Sequence, residues 1–530
     1  MAVALLLMLL VLALVIYGFR PIDRFRTRHL PGPPQLWLFG NLLQLATEGD
    51  YAFYHRQHKR YGSILKIWTL GSAVVVATPE LCRQVLLHSA ARFKIGNLFT
   101  GKLAEFEDAG ILFSRGEQAR TIWSAWHPMF YSSTLQGFTG LMHKAADKAM
   151  QRFAAAASSR EAVNAHALLS QMTLQVVASA AFGVDISDPD AVLENINGKP
   201  YTVRQMIEDI RMAFRTVVDP NCPYTRLMFL VPFGIPLWKW LANKLPSQTY
   251  AAAVDVRSRL LPYVDKLLKG HAAALADQYP EGTIKAFNPA AAGDKPVRRG
   301  VAAGSFIDVL VRTKYKSSGA KLTDIEISNQ VYGMLLGGLE TTANGLSFTM
   351  WCLARYPDKA EKLAAEIQSQ PSDPDYTAIT EGFPYTEAVL REALRLYPPG
   401  SAAIREAEKD MNLGGYKIAK GTKLIASIYA LHHDESVWPD AEAFIPERHL
   451  SKNAVGAPTQ PHAWLGFGDG ARNCVGSRLA MLEVKLALVH LFRTHSYRLT
   501  PGQVPLKLQT GLSLGPAEGV WLTVHERSQP

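Results

Sequence analysis

A chain of 530 residues that is 48% apolar can bury a large core, and it is not a low-complexity polymer. Its four cysteines, Cys82, Cys222, Cys352 and Cys474, each lie more than a hundred residues from the next, which excludes a disulfide scaffold and leaves no Cys-x-x-Cys zinc pair. A net charge of +10 and a pI of 9.2 would suit nucleic acid, anionic lipid or an acidic partner. No basic stripe interleaved with aromatics is present, so no nucleic-acid partner is expected.

Ala2 to Phe19 carries no charge over eighteen residues, which as a helix at about 1.5 Å per residue nearly crosses a hydrocarbon layer of about 30 Å. A cleaved signal peptide would need a charged start and a small-residue cleavage site, and neither is there. Residues 1–19 are therefore read as a transmembrane anchor. Arg20, Arg24, Arg26 and Arg28 follow it, and the positive-inside rule then keeps the rest of the chain cytosolic. Residues 20–35, with Leu30-Pro31-Gly32-Pro33-Pro34, form a basic, proline-rich hinge ahead of one domain, 36–530.

Within that domain Ile64 to Trp68 and Ala73 to Ala77 read as strands, and long helical patterns run from there to about Tyr397. The stretch 281–304 is rich in Gly, Ala, Pro and charge without periodicity and reads as a flexible loop. Beyond Pro399 come short strands and turns, one helix from about Ser477 to Phe492, and strands again. The body is mostly α with small β-sheets.

The most informative stretch is Phe467-Gly468-Asp469-Gly470-Ala471-Arg472-Asn473-Cys474-Val475-Gly476, a glycine-rich loop with a cysteine at the mouth of a helix. Helix N-terminal amides and a nearby arginine stabilise a thiolate, and glycines let backbone approach a flat ligand closely. A dinucleotide fingerprint, Gly466-x-Gly468-x-x-Ala471, also fits loosely, but the strand-helix-strand unit it requires is not visible. The loop resembles that of the cytochrome P450 superfamily, Phe-x-x-Gly-x-Arg-x-Cys-x-Gly, at every fixed position. That resemblance implies a cytochrome P450 fold behind the anchor, haem b as cofactor, and Cys474 as the axial ligand of its iron. Phe467, Arg472 and Gly476 would be part of the cofactor site. An anionic sulfur pushes electron density onto iron and favours O–O cleavage.

Three further segments fit the same resemblance. Glu392 and Arg395 share a helix face three residues apart, and Pro446-Glu447-Arg448 resembles the family's Pro-Glu-Arg segment, which implies a structural triad of Glu392, Arg395 and Arg448. Thr323-Asp324-Ile325-Glu326 marks a capping box ahead of a long apolar helix holding Gly337-Gly338-Leu339-Glu340-Thr341-Thr342. Glycines and an acid-alcohol pair are costly inside a buried helix. The resemblance makes Glu340 and Thr341 the catalytic pair that delivers protons, with the glycines opening the helix for dioxygen. A packing helix whose threonines bond back to carbonyls is the alternative reading. Arg405 follows Arg395 by ten residues and would meet a haem propionate together with Arg472.

One departure stands out. Aligned on Pro128 and Phe130, the positions that usually carry a tryptophan and an arginine for the other propionate hold Ala119 and Trp123, leaving Arg120 as a candidate. The resemblance spans the chain from Leu30, and within the superfamily it looks most like the drug-metabolising and thromboxane-synthase-like microsomal clan. It implies a monooxygenase of the endoplasmic reticulum membrane. Its electrons would come from NADPH through a P450 reductase, with cytochrome b5 as a further partner, and its substrate would be an apolar small molecule. A haem-thiolate isomerase or dehydratase acting on a peroxide, without reductase, is the alternative. Expected pocket positions, among them Phe99, Leu103, Phe106, Leu335, Leu339, Ala403, Ile404 and Leu512, are apolar and admit terpenoid, sterol, fatty-acyl or xenobiotic ligands alike.

Overall fold

The computed structural model describes residues 27–36, 40–69, 71–88, 99–112, 114–182, 186, 188–196, 198–216, 222–230, 235–276 and 306–527. The expected anchor 1–19, the first part of the hinge and the expected loop 281–304 lie outside the described residues. Among the described residues no helix is long and apolar enough to cross a membrane. The remainder of the hinge lies against a sheet: Leu30 is buried in the core, and the Lys66 amide donates to the Pro31 carbonyl at 2.7 Å.

Ile64–Thr69 (β1) and Gly71–Val76 (β2) form an antiparallel hairpin with Ile67 opposite Ala73. Two later strands, Ala402–Glu406 (β3) and Lys423–Ser427 (β4), complete a four-stranded sheet in the order β1-β2-β4-β3. β4 runs parallel to β2 and antiparallel to β3, with Val75 opposite Ile425 and Arg405 opposite Leu424. Alternate side chains leave opposite faces of a strand, so Val74, Val76, Leu424 and Ala426 enter one apolar cluster and Ala73, Val75 and Ile425 another. Cover on both faces explains the unbroken apolar runs in these strands.

The larger part is helical. Its main helices are Gly116–Trp126 (α1), Ser132–Ser159 (α2), Ala165–Phe182 (α3), Val203–Thr216 (α4), Gln248–Ala276 (α5), Asp324–Arg355 (α6), Pro384–Leu396 (α7) and Ser477–Thr494 (α8). α6 begins where the sequence marks it: the Thr323 hydroxyl accepts from the Glu326 amide while the Glu326 carboxylate accepts from the Thr323 amide. With 32 residues it runs about 48 Å through the largest apolar cluster, and α3, α4, α5 and α7 pack around it. Stability here comes from that burial, since a helix apolar on all sides is unstable alone in water.

Candidate active site

Cys474 sits three residues before α8 and is exposed, whereas Cys82, Cys222 and Cys352 are buried. The loop ahead of it is closed by its own backbone. The Cys474 amide donates to the Phe467 carbonyl at 2.9 Å, the Gly468 amide to Leu465 at 2.8 Å and the Asn473 amide to Gly470 at 3.1 Å. Gly470 is left-handed, with φ of 75°, and a Cβ there would fall 2.4 Å from the Leu86 carbonyl, so only glycine lets the loop rest on the helix Pro79–His88.

The second half of the site is a stripe on α6. From Ile327 to Leu353 this helix is buried at every position except Gly333, Gly337, Gly338 and Thr341. Gly333, Gly337 and Thr341 are four apart and lie in one row, so a helix enclosed by protein opens along a single line. The two adjacent glycines do different things. A methyl group at Gly337 would meet nothing within 4 Å, while one at Gly338 would fall 2.5 Å from Val177 of α3. Gly337 thus borders open space and Gly338 lets two helices touch. Leu335 and Leu339, expected to line the pocket, instead point into the core at 1% and 0% exposure.

Thr341 Oγ1 donates to the Gly337 carbonyl at 2.6 Å, which leaves its lone pairs to accept from a partner in the open row. Glu340 is buried and its Oε2 stands 3.8 Å from Arg211 Nε of α4. An aromatic wall joins this helix to the cysteine loop: Trp126 lies 4.0 Å from a Cβ at Gly333 and stacks on Phe130 with centroids 6.4 Å apart, and Phe130 lies 3.7 Å from a Cβ at Gly476.

Arg405 on β3 and Arg472 in the loop are brought together. Arg405 Nη2 reaches the Arg472 carbonyl at 3.5 Å, Arg472 Nη2 donates to Ser114 at 3.1 Å, and Arg405 Nε is buried with no hydrogen-bond partner among the described residues. Burial, and then the neighbouring Arg472 cation, bring Arg405 down to about 10. Ala119 is buried, Trp123 packs edge-on against His127, and Arg120 is exposed on α1. Arg115, which no motif marks, closes the edge of the same region by pairing with Glu406 at 3.0 Å.

Glu392, Arg395 and Arg448 also meet, with full burial of all three. Arg395 forks onto Glu392 with two bonds of 2.9 Å, and Arg448 Nε reaches Glu392 Oε1 at 3.0 Å. Burial alone would raise the Glu392 carboxyl, but Arg395 and His449 hold it down to about 2. His449 and His432 were missed by sequence reasoning. His432 Nδ1 faces the Arg395 carbonyl at 3.1 Å and its Nε2 accepts from the Leu465 amide at 2.9 Å. That ring is neutral, because burial and then the Arg395 cation push its pKa well below the usual value. It ties the triad to the cysteine loop through one side chain.

Residues 30–522 match the family model Cytochrome P450. The chain belongs to the cytochrome P450 family. Similar proteins include thromboxane-A synthase of Macaca fascicularis, 28% identical with 96% of this chain and 94% of the relative covered. Cytochrome P450 3A41 of Mus musculus is 28% identical over 98% and 96%, and cytochrome P450 3A5 of Homo sapiens 27% identical over 99% and 96%. As a P450 the protein is an oxidoreductase-type enzyme that binds haem b. Its residues suit that group. Two packed guanidiniums, one with a buried donor to spare, call for an anion such as a propionate, and an exposed cysteine at a helix mouth offers a thiolate.

Proposed function

We propose that this P450 is a membrane-anchored monooxygenase that inserts one atom of dioxygen into an apolar substrate, with electrons from NADPH delivered by a P450 reductase and cytochrome b5 as an auxiliary partner. Cys474 would hold the haem iron, Arg405 and Arg472 a propionate, and Phe467 and Gly476 the ring's surroundings. Haem supplies the oxygen-activating redox chemistry when bound. The chain's own part is to keep a dry, shaped space beside Gly337 and to bring protons into it. Thr341 Oγ1, pinned to the Gly337 carbonyl, can accept from a water and hand it a proton in turn, and Glu340 next to it replaces that proton from outside.

The observation that carries this reading is the open row Gly333, Gly337 and Thr341 on an otherwise buried helix. A helix serving only as packing would lose about 1 kcal/mol for each glycine with no return. The 1–19 anchor, with the arginines behind it, would place the enzyme on the endoplasmic reticulum membrane with its body cytosolic.

A second reading, rearrangement of a peroxide without a reductase, has the likeness to thromboxane-A synthase behind it. Glu340 and Thr341 speak against it, since that chemistry needs no proton supply. Steady-state NADPH consumption with reductase, set beside turnover of a lipid hydroperoxide without it, separates the two. Consumption matched by oxygenated product is expected, and hydroperoxide turnover alone would favour the second reading.

A further inference from the structure

The open row of α6 has an end. Gly345, four residues after Thr341, is covered by Leu394 and Pro399, since a Cβ there would lie 3.1 and 4.0 Å from them. Asn344 beside it lies about two turns beyond Gly337, on the same side of the helix, and is buried. A hairpin turn lies over it. The strands Leu508–Gln509 and Gly515–Pro516 pair antiparallel, and the turn between them, 510–514, carries Leu512, one of the expected pocket positions, which is 37% exposed. A Cβ at Gly515 would fall 3.1 Å from both amide atoms of Asn344, so the glycine lets this strand lie close against that side chain.

The Asn344 amide is gripped from two sides. Its Oδ1 faces His166 Nε2 at the start of α3, 2.9 Å away, and its Nδ2 donates to Ser513 Oγ at 3.1 Å. An amide oxygen only accepts, so the His166 nitrogen carries the proton, and the two contacts together fix which way round the amide sits. Further along α6 the buried hydroxyls of Ser347 and Thr349 bond back to carbonyls of their own helix, at 2.6 and 2.8 Å. Asn344 instead turns both ends of its side chain toward other elements. On its far side the turn is tied down by the Leu514 amide, which donates to the Pro399 carbonyl at 2.8 Å. The turn thus bridges the end of the open row and the segment that leads into β3.

We propose that Asn344 is a positioning residue for substrate selection: it seats the 510–514 turn as the end wall of the space beside Gly337 and so fixes where Leu512 meets an apolar substrate. This rests on the reading of the open row as the substrate space. Asn344 acts through the turn and not on the substrate. An apolar pocket selects its ligands by the shape of its walls, so the seat of one wall residue decides which bulky ligands fit.

The test is a double-mutant cycle on the haem-loaded full chain, with two azoles that bind haem iron and shift its spectrum. Imidazole needs little space, and clotrimazole carries aryl groups that reach the walls. Dissociation constants are measured in wild type, Asn344→Ala, Ser513→Ala and Leu512→Ala, and in Leu512→Ala combined with each of the other two. Loss of one hydrogen bond is worth about 2- to 12-fold, so Asn344→Ala and Ser513→Ala should each weaken clotrimazole by that much and leave imidazole unchanged. In the Leu512→Ala background the same substitutions should change clotrimazole binding by less than about 2-fold, because the side chain they place has been cut away. Ser513→Ala removes only one hydroxyl and keeps the cycle decisive if Asn344→Ala folds poorly. Equal weakening of both azoles, or the same loss with and without Leu512, is what a general loosening of the fold would give, and it overturns the proposal. Clotrimazole binding that falls with Leu512→Ala but ignores Asn344→Ala and Ser513→Ala also overturns it, while the substrate-space reading stands. Clotrimazole indifferent to all three substitutions removes the turn as a wall and the proposal with it, and if it also binds no tighter than imidazole the substrate-space reading goes too.

Discussion

Thr341 decides between a helix that packs and a helix that works. Its hydroxyl is bonded to the Gly337 carbonyl, as a packing threonine's would be, yet it lies in the one open row of α6. Thr341→Ala should still bind haem and consume NADPH, with hydrogen peroxide rising as product falls by roughly 10²- to 10⁴-fold, the usual worth of acid assistance. A purely structural hydroxyl would cost about 1 kcal/mol of stability and leave the product ratio alone. For Cys474 the expectation is spectroscopic: Cys474→Ser should lose the strongly red-shifted absorption of the reduced carbon monoxide complex, because a hydroxyl donates less charge to iron than a thiolate. The same absorption in the variant would end the ligand assignment. Both residues were legible in the sequence because each sits in a short motif with fixed spacing. Arg211, Arg115 and His432 were not, since each acts on a residue more than 30 positions away, and no local pattern encodes such a contact.

At the scale of elements, the paired glycines make opposite predictions. Gly337→Ala adds a methyl group to open space and gains helix propensity, so the haem-free protein should become more stable by up to about 1 kcal/mol, with the ligand-induced spectral shift altered. Gly338→Ala pushes into Val177 and should cost about 1–3 kcal/mol. Thermal melts of the two variants check this, and equal effects would contradict the assignment of one glycine to space and the other to packing. The triad gives a third prediction. Glu392 has a depressed folded-state pKa, so its contribution to stability is present above the unfolded value near 4.5 and is lost as pH falls toward 2. Glu392→Gln should destabilise the protein by about 3 kcal/mol at neutral pH and flatten the loss between those limits, read by urea unfolding as a function of pH. Strand pairs, the capping box and the helix after Cys474 could be read from periodicity and cap residues. That Leu335 and Leu339 face the core while Gly333 and Gly337 face space could not be, because on a helix apolar all round no periodicity marks which side is open.

At the scale of the whole molecule, the proposed anchor, residues 1–19, precedes the buried scaffold that holds the open row of α6. Deleting residues 2–28 should release the protein from membranes at least partly while sparing haem binding, since among the described residues the deletion removes only Thr27 and Arg28, which touch the sheet through Ser72 and Lys66, and keeps Leu30 and Pro31 on it. Full retention on vesicles after the deletion would point to another membrane contact. Long-range order was legible only in outline: a run of helices followed by strands identifies the class, but the parallel pairing of β2 with β4 across more than 300 residues, which places Arg405 beside Arg472, is fixed by tertiary packing. The measurement that tests the central claim most directly uses the full chain, loaded with haem and reconstituted with NADPH-P450 reductase in lipid vesicles under ¹⁸O₂. Its substrate is an apolar compound chosen because it displaces the haem's sixth ligand. The account predicts NADPH-dependent product carrying one ¹⁸O atom, and product that forms from a hydroperoxide without NADPH and carries no ¹⁸O from the gas would contradict it.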